Sequence, residues 1–165
     1  MGWVIQRVGR AWGGDGSLPS GTTSKATTKG GTVMPMEIVG PRAVESAAIA
    51  YVIASEREAG RQARDVRGTG AAGDVDSPPR TIEVKAFGTS ARGSDLWLEV
   101  RQVEEARSNP QFYVYVVENV RQGDPSKFTL KILGGHRLAH LLASAKEQRY
   151  YTVPWPVSDY DSHEP

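Results

Sequence analysis

The residues of this chain best suited to chemistry on a phosphodiester lie in GDVDSPPRTIEVKAF, which brings an acid at position 74, a second acid at 83 and a lysine at 85. TIEVKAF alternates, so Ile82, Val84 and Ala86 turn one way while Thr81, Glu83 and Lys85 turn the other. Pro78 and Pro79 force a turn after DVDS, and the two segments are expected to form a β-hairpin. The carboxylates of Asp74 and Glu83 can then converge on one cation, with Lys85 two residues beyond Glu83 on the same face. Two carboxylates, the backbone carbonyl of Val84 and waters would offer Mg²⁺ or Mn²⁺ the oxygen ligands it prefers. Such an ion acidifies a water and offsets charge building on a phosphate, while a lysine orients the water or stabilises the transition state.

A plainer reading competes at each position. Glu83 and Lys85 could be a solvated same-face ion pair worth about 0–1 kcal/mol. In a sheet covered on both sides, however, their face is partly buried, and burying two charges without purpose is costly. Alternation leaves both Asp74 and Asp76 open, and turn chemistry before Ser77 and Pro78 accounts for either. Glu56 shares a helix face with Val52 and Ile49, so it either points at the sheet as a further ligand or pairs with Arg57 or Arg61 at a solvated helix end. Gln102 either contacts a substrate phosphate or is a first-turn helix residue without chemistry. His136 and His140 have the i, i+4 spacing of a zinc pair, but the segment reads HRLAH with no evident third ligand, so structural histidines are expected. Arg57, Arg61, Arg64 and Arg67 cluster at a helix end and loop, where solvated charge is the simplest account.

The elements that must position these residues follow from periodicity. PRAVESAAIAYVIASEREAG, residues 41–60, places Val44, Ala48, Tyr51 and Val52 on one stripe, opens on proline and closes on glycine: an amphipathic helix. ARDVRG reads as a short strand, DVDS and TIEVKAF as two more, and LWLEV (96–100) as a fourth. VRQVEEARSN is a short helix stopped by Pro110, FYVYVVENV a buried strand, FTLKIL an alternating strand, and GGHRLAHLLASAKEQ a final helix. The expected order of helix, β-meander, helix, buried strand, strand, helix gives an α/β mixed sheet with at least one parallel crossover.

An acid, a gap, then Glu-x-Lys on a hairpin between helices resembles the core of the PD-(D/E)xK nuclease superfamily, with Gly73 standing where the superfamily name has proline. Over residues 43–135, VESAAIAYVIASEREAGRQARDV, GDVDS, RTIEVKAFG, LEVRQVEEA and FYVYVVENV resemble the family named after the C-terminal domain of the plant protein NO VEIN, itself similar to restriction-endonuclease-like folds. The resemblance implies that the family's helix acid is Glu56, its strand acid Asp74 rather than Asp76, its acid-lysine pair Glu83 and Lys85, and its later polar position Gln102. A restriction-endonuclease-like α/β fold is implied with it.

With 165 residues and 39% hydrophobic content the chain suits one domain, expected over 36–153. Residues 1–35, largely Gly, Ser, Thr and Lys, are expected to be a flexible leader, and 154–165, with three prolines, an extended tail. The absence of cysteine excludes disulfides and thiolate metal sites and fits a cytoplasmic protein. No apolar run suits a membrane helix or a secretory signal, so a soluble chain is expected. Twenty basic against 19 acidic residues exclude a bulk field for polyanions, leaving only a local basic groove. The expected function is therefore a divalent-metal-dependent endonuclease acting on nucleic acid, DNA foremost, in defence or DNA processing. Because one site reaches one phosphodiester, a homodimer is expected. The rivals are a nuclease-fold domain that no longer cuts and binds nucleic acid or protein instead, and an oligomerising scaffold using Trp97, Tyr150, Tyr151 and Trp155.

Overall fold

The structure is a computed structural model that describes residues 36–162; the expected leader and the last three residues of the tail lie outside it. Helix α1 (Pro41–Glu58) has proline in its first turn and stops before Gly60, whose φ of 82° suits the turn out of the helix. Its buried stripe is Val44, Ala48, Ile49, Val52 and, unusually, Glu56, a spacing that stays on one side of a 3.6-residue helix. Tyr51 flanks the stripe half-buried.

The meander follows as β1 (Arg64–Asp65), β2 (Val75–Ser77) and β3 (Arg80–Ala86), each antiparallel to the last. Helix α2 (Val100–Ser108) then carries the chain to β4 (Phe112–Glu118), which lies parallel to β3, and β5 (Thr129–Gly134) returns antiparallel to β4. The five-stranded mixed sheet is ordered β1-β2-β3-β4-β5, and α3 (Gly135–Ala143) follows it. This is the α/β architecture that the periodicities predict.

Two apolar layers clothe the sheet. Ile82, Val84, Tyr115 and Val117 pack with Val44, Ala48, Ile49 and Val52 of α1 on one face. Phe112, Val114 and Val116 pack with Leu138 and Leu142 of α3 on the other, where Val103 and Ala106 of α2 join them. Strand β4 is buried on both faces, which is why its sequence is an unbroken apolar run instead of an alternation.

Three expectations differ from what is found. LWLEV is not a strand: residues 94–99 run irregularly, with Leu96 and Leu98 half-buried against the second layer and Trp97 exposed. Its alternation reports which side is covered, but β3 already has β2 and β4 as neighbours and offers no free edge. The last long helix ends at Ala143, because beyond Leu142 no buried apolar residue holds it to the sheet. The tail is not wholly extended, since Val157–Asp161 form the short helix α4 and Tyr160 meets Trp155 edge-on with ring centroids 5.3 Å apart. Among the described residues no helix is long and apolar enough to cross a membrane.

Candidate functional site

The hairpin sets the geometry. Register pairs Val75 with Ile82 and Asp76 with Thr81, so Asp74, Asp76, Thr81 and Glu83 share parity and project away from α1. Asp76 is taken by Arg64 of β1, whose Nε and Nη2 donate to Oδ2 at 2.9 and 2.6 Å. Asp74 is the acid brought to Glu83.

Main-chain groups hold both the backbone and the carboxylate of Asp74. Its N–H donates to the Ile82 carbonyl (2.9 Å), its own carbonyl accepts from Val66 N–H (2.9 Å), and its Oδ2 accepts from Val84 N–H (3.0 Å). Val84 thus reaches this acid through its N–H. Gly73 makes that approach feasible: a Cβ there would stand 2.6 Å from the Ile82 carbonyl oxygen, which is backbone and cannot swing aside. Gly73→Ala should therefore cost about 1–3 kcal/mol through overpacking, read as a lowered urea midpoint at unchanged m.

Glu83, in the middle of β3, is 5% exposed. Lys85 Nζ donates to its Oε1 at 2.7 Å, while Oε2 is buried with no hydrogen-bond partner among the described residues. Burial pushes the Glu83 carboxyl up to about 7, and the nearby negative charge of Asp74 adds to this. Lys85 opposes the rise, as does the Gln102 side chain. Gln102 is buried in the first turn of α2, where it closes a capping box: its Oε1 accepts from Glu99 N–H at 2.9 Å. The helix start is tied to the loop before Asp74 by Arg101, which donates to the carbonyls of Gly70 and Ala71, both at 2.8 Å. Asp74, Glu83, Lys85 and Gln102 are thus gathered on one side of the sheet.

Glu56 is not among them. It lies under α1 against the opposite face, 1% exposed, and both its oxygens are taken. Arg61 donates to both, at 2.8 and 2.5 Å; the Tyr115 hydroxyl donates to Oε1 at 2.7 Å, Ser77 to Oε2 at 2.8 Å, and Arg80 approaches Oε1 at 3.3 Å. Burial alone would raise this carboxyl, yet the hydrogen bonds from Arg61, Tyr115 and Ser77 win and lower it to about 2. Burial and the adjacent Glu56 push Tyr115 up to about 12, so its hydroxyl keeps the proton it donates. The pairing of Glu56 with Arg61 was one of the two expected arrangements, but it is buried instead of solvated. Tyr115, Ser77 and Arg80 escape a reading of sequence alone; a tyrosine inside the apolar run FYVYVV was the available signal, since a buried hydroxyl requires a partner.

His136 and His140 are exposed on α3, and among the described residues no group of three or more His, Cys, Asp or Glu could hold a metal ion. Since Arg64 takes Asp76, the hairpin acids that could serve a cation are the two carboxylates of Asp74 and Glu83. Two suffice for a Mg²⁺-type ion, which commonly takes one or two carboxylates and completes its shell with water and substrate phosphate. The orphaned Oε2 of Glu83 fits that role, because a buried carboxylate oxygen without a donor is stabilised by a cation.

No curated protein and no solved structure gives a significant match to the chain. A family model does, that described as Protein NO VEIN, C-terminal, over residues 44–130, a span from α1 into β5 that includes the hairpin, Gln102 and the buried strand. With more than half of its length matched by that model, this chain belongs to the NO VEIN C-terminal family.

Proposed function

We propose that the domain is a divalent-metal-dependent nuclease, hydrolysing phosphodiester bonds in nucleic acid, DNA foremost, with Asp74 and Glu83 as the metal carboxylates and Lys85 beside them. The observation that carries this reading is Glu83: a buried acid held near neutrality beside Asp74, with one oxygen on a lysine and the other without a donor among the described residues. Arrangements that keep a carboxylate unsatisfied cost stability, and they concentrate at functional sites. The order of elements around the hairpin, similar to that of restriction-endonuclease-like cores, supports the same reading.

A Mg²⁺ or Mn²⁺ ion held by Asp74, Glu83 and the Val84 carbonyl would polarise the phosphodiester and acidify the attacking water. The chain's part is then positional and electrostatic. Val84 N–H aims Asp74 at the shared ion site, and burial excludes competing water from Glu83. Lys85, beside Glu83, would be placed to donate to a phosphate oxygen or to the attacking water. Gln102, in the first turn of α2, favours the ionised form of Glu83. A homodimer would let two such sites address both strands.

The deciding experiment is a thermal-stability titration of wild type and Asp74→Asn with Mg²⁺, Mn²⁺ and Ca²⁺. A cation at 100 times its Kd adds about 2.7 kcal/mol, or roughly 10 °C in a domain of this size. The rise should appear in wild type alone, and it should be larger at pH 8 than at pH 6, because the ion must displace the proton Glu83 holds up to about 7. Cleavage of a DNA duplex in Mn²⁺ that survives both Glu83→Gln and Lys85→Ala would sink the assignment.

A second reading, a nuclease-fold module that binds without cutting, is favoured by the near balance of 20 basic and 19 acidic residues. It requires that no cation raise the stability of the wild type.

A further inference from the structure

Where α1 ends and the chain turns through Gly60 into β1, a cleft of about 520 Å³ opens, its wall carrying Arg57, Arg61, Arg64, Asp76 and Pro78. Three guanidiniums face one carboxylate there. Arg61 is matched by Glu56, but that acid is buried behind it and is shared with Arg80. Arg64 is matched by Asp76 in an exposed pair, its side chain 72% accessible, and such a pair is weak enough for an incoming phosphate to share the guanidinium. Among the described residues Arg57 bonds only the Ala63 carbonyl, through Nε at 3.1 Å and Nη2 at 2.9 Å, and its charge meets no acid there. Across Arg57, Arg61, Arg64 and Arg80 the surplus over Glu56 and Asp76 is two positive charges.

The cleft also has a direction. Asp76, on its wall, lies two residues from Asp74 on the same face of the hairpin, or about 7 Å along the strand. A single phosphate seated on Arg57 and Arg64 would not reach Asp74, whereas a polymer of phosphates would span both.

We propose that this arginine cleft holds the phosphodiester backbone of a nucleic acid whose adjoining stretch lies across Asp74 and Glu83. The direction past Asp74 rests on the nuclease reading; the charge of the cleft does not. Phosphates held by guanidiniums displace counterions, so affinity falls with salt in proportion to the contacts made.

The test measures fluorescence anisotropy of a labelled 20-base-pair DNA duplex and of a 20-nucleotide single-stranded RNA with the full chain, in EDTA, across a NaCl series. Wild type should bind at least one polymer at low salt, and the tighter of the two names the ligand. The double variant Arg57→Gln/Arg64→Gln should lose about tenfold in affinity at low salt and flatten the log K against log[salt] slope by about 1–2. Arg57→Lys/Arg64→Lys keeps the charge while losing the guanidinium contacts to Ala63 and Asp76, so it should retain most of the wild-type slope. The proposal is overturned if wild type binds neither polymer at 50 mM NaCl, if the Gln pair matches wild type, or if the Lys pair loses as much as the Gln pair. Binding that depends on the cleft without any Mn²⁺-dependent cleavage would remove the nuclease reading and leave the cleft standing.

Discussion

Replacing Glu56 with alanine should lower the unfolding free energy by about 3–5 kcal/mol, the loss typical of a buried charge network deprived of one member. Arg61, Arg80, the Tyr115 hydroxyl and Ser77 all converge on this carboxylate, and its removal strands cationic groups and hydroxyls beneath α1. Against a total of about 5–15 kcal/mol for a domain, that is enough to leave much of the protein unfolded at 37 °C. The pH dependence follows from the same contacts. The folded-state carboxyl is depressed to about 2 from 4.5, so its contribution is complete above the unfolded value and disappears as pH falls through the window between them. Urea midpoints of wild type should drop more across that window than those of Glu56→Gln, in which other depressed acids such as Glu118 still titrate. A loss below about 1 kcal/mol for Glu56→Ala, or identical acid profiles for the two proteins, would contradict the buried network.

Glu83→Gln should act in the opposite direction on stability while removing function. Here the folded-state carboxyl is raised to about 7 from 4.5, chiefly by burial. The sign is therefore reversed: the folded protein binds the proton more tightly, and ionising Glu83 destabilises it increasingly as pH climbs from 4.5 through 7. Glutamine removes that penalty together with the repulsion from Asp74, at the cost of the Lys85 pair. At pH 8 the variant should be more stable than wild type by about 1–2 kcal/mol, a gain that vanishes near pH 4.5. Under the proposed function it should also lose its cation-dependent rise, and cleavage by a factor on the order of 10² or more. A variant less stable than wild type at pH 8 would mean that the Lys85 pair outweighs the burial of Glu83, and would remove the argument that this acid is held under strain.

What could be read in the sequence were the features that periodicity encodes. Val44, Ala48 and Val52 mark α1, the alternation through Ile82 and Val84 marks β3, and the apolar run from Phe112 marks a strand covered on both sides. Periodicity has no information about pairing, which is why Leu96 and Leu98 imitate a strand that has no edge to join. Nor does it say where a helix stops when its capping signals are weak, as they are after Leu142. The site was legible as far as parity allowed: Glu83 and Lys85 share a face because they are two residues apart. Parity left Asp74 and Asp76 open and the family resemblance favoured Asp74; the physical reason came only with β1, whose Arg64 takes Asp76. Glu56 needed the third dimension altogether, because one helix position serves equally for an acid aimed at a metal and for one locked in arginines. Gln102 is a similar case, a first-turn residue that matters through what α2 lies against.

Asp74 takes a large part of its position from the amides and carbonyls of Val66, Ile82 and Val84. Every amino acid but proline brings the same N–H, so positions 66, 82 and 84 can exchange one apolar residue for another while the acid stays where it is. Position 73 has no such latitude, for there the obstacle is an atom that any residue at 82 would also supply. Lineages descending from this fold could thus diverge widely in letters yet inherit the placement of the acid intact, with the glycine before it and the shape of the hairpin, more than any string of neighbours, as the lasting signature of the site.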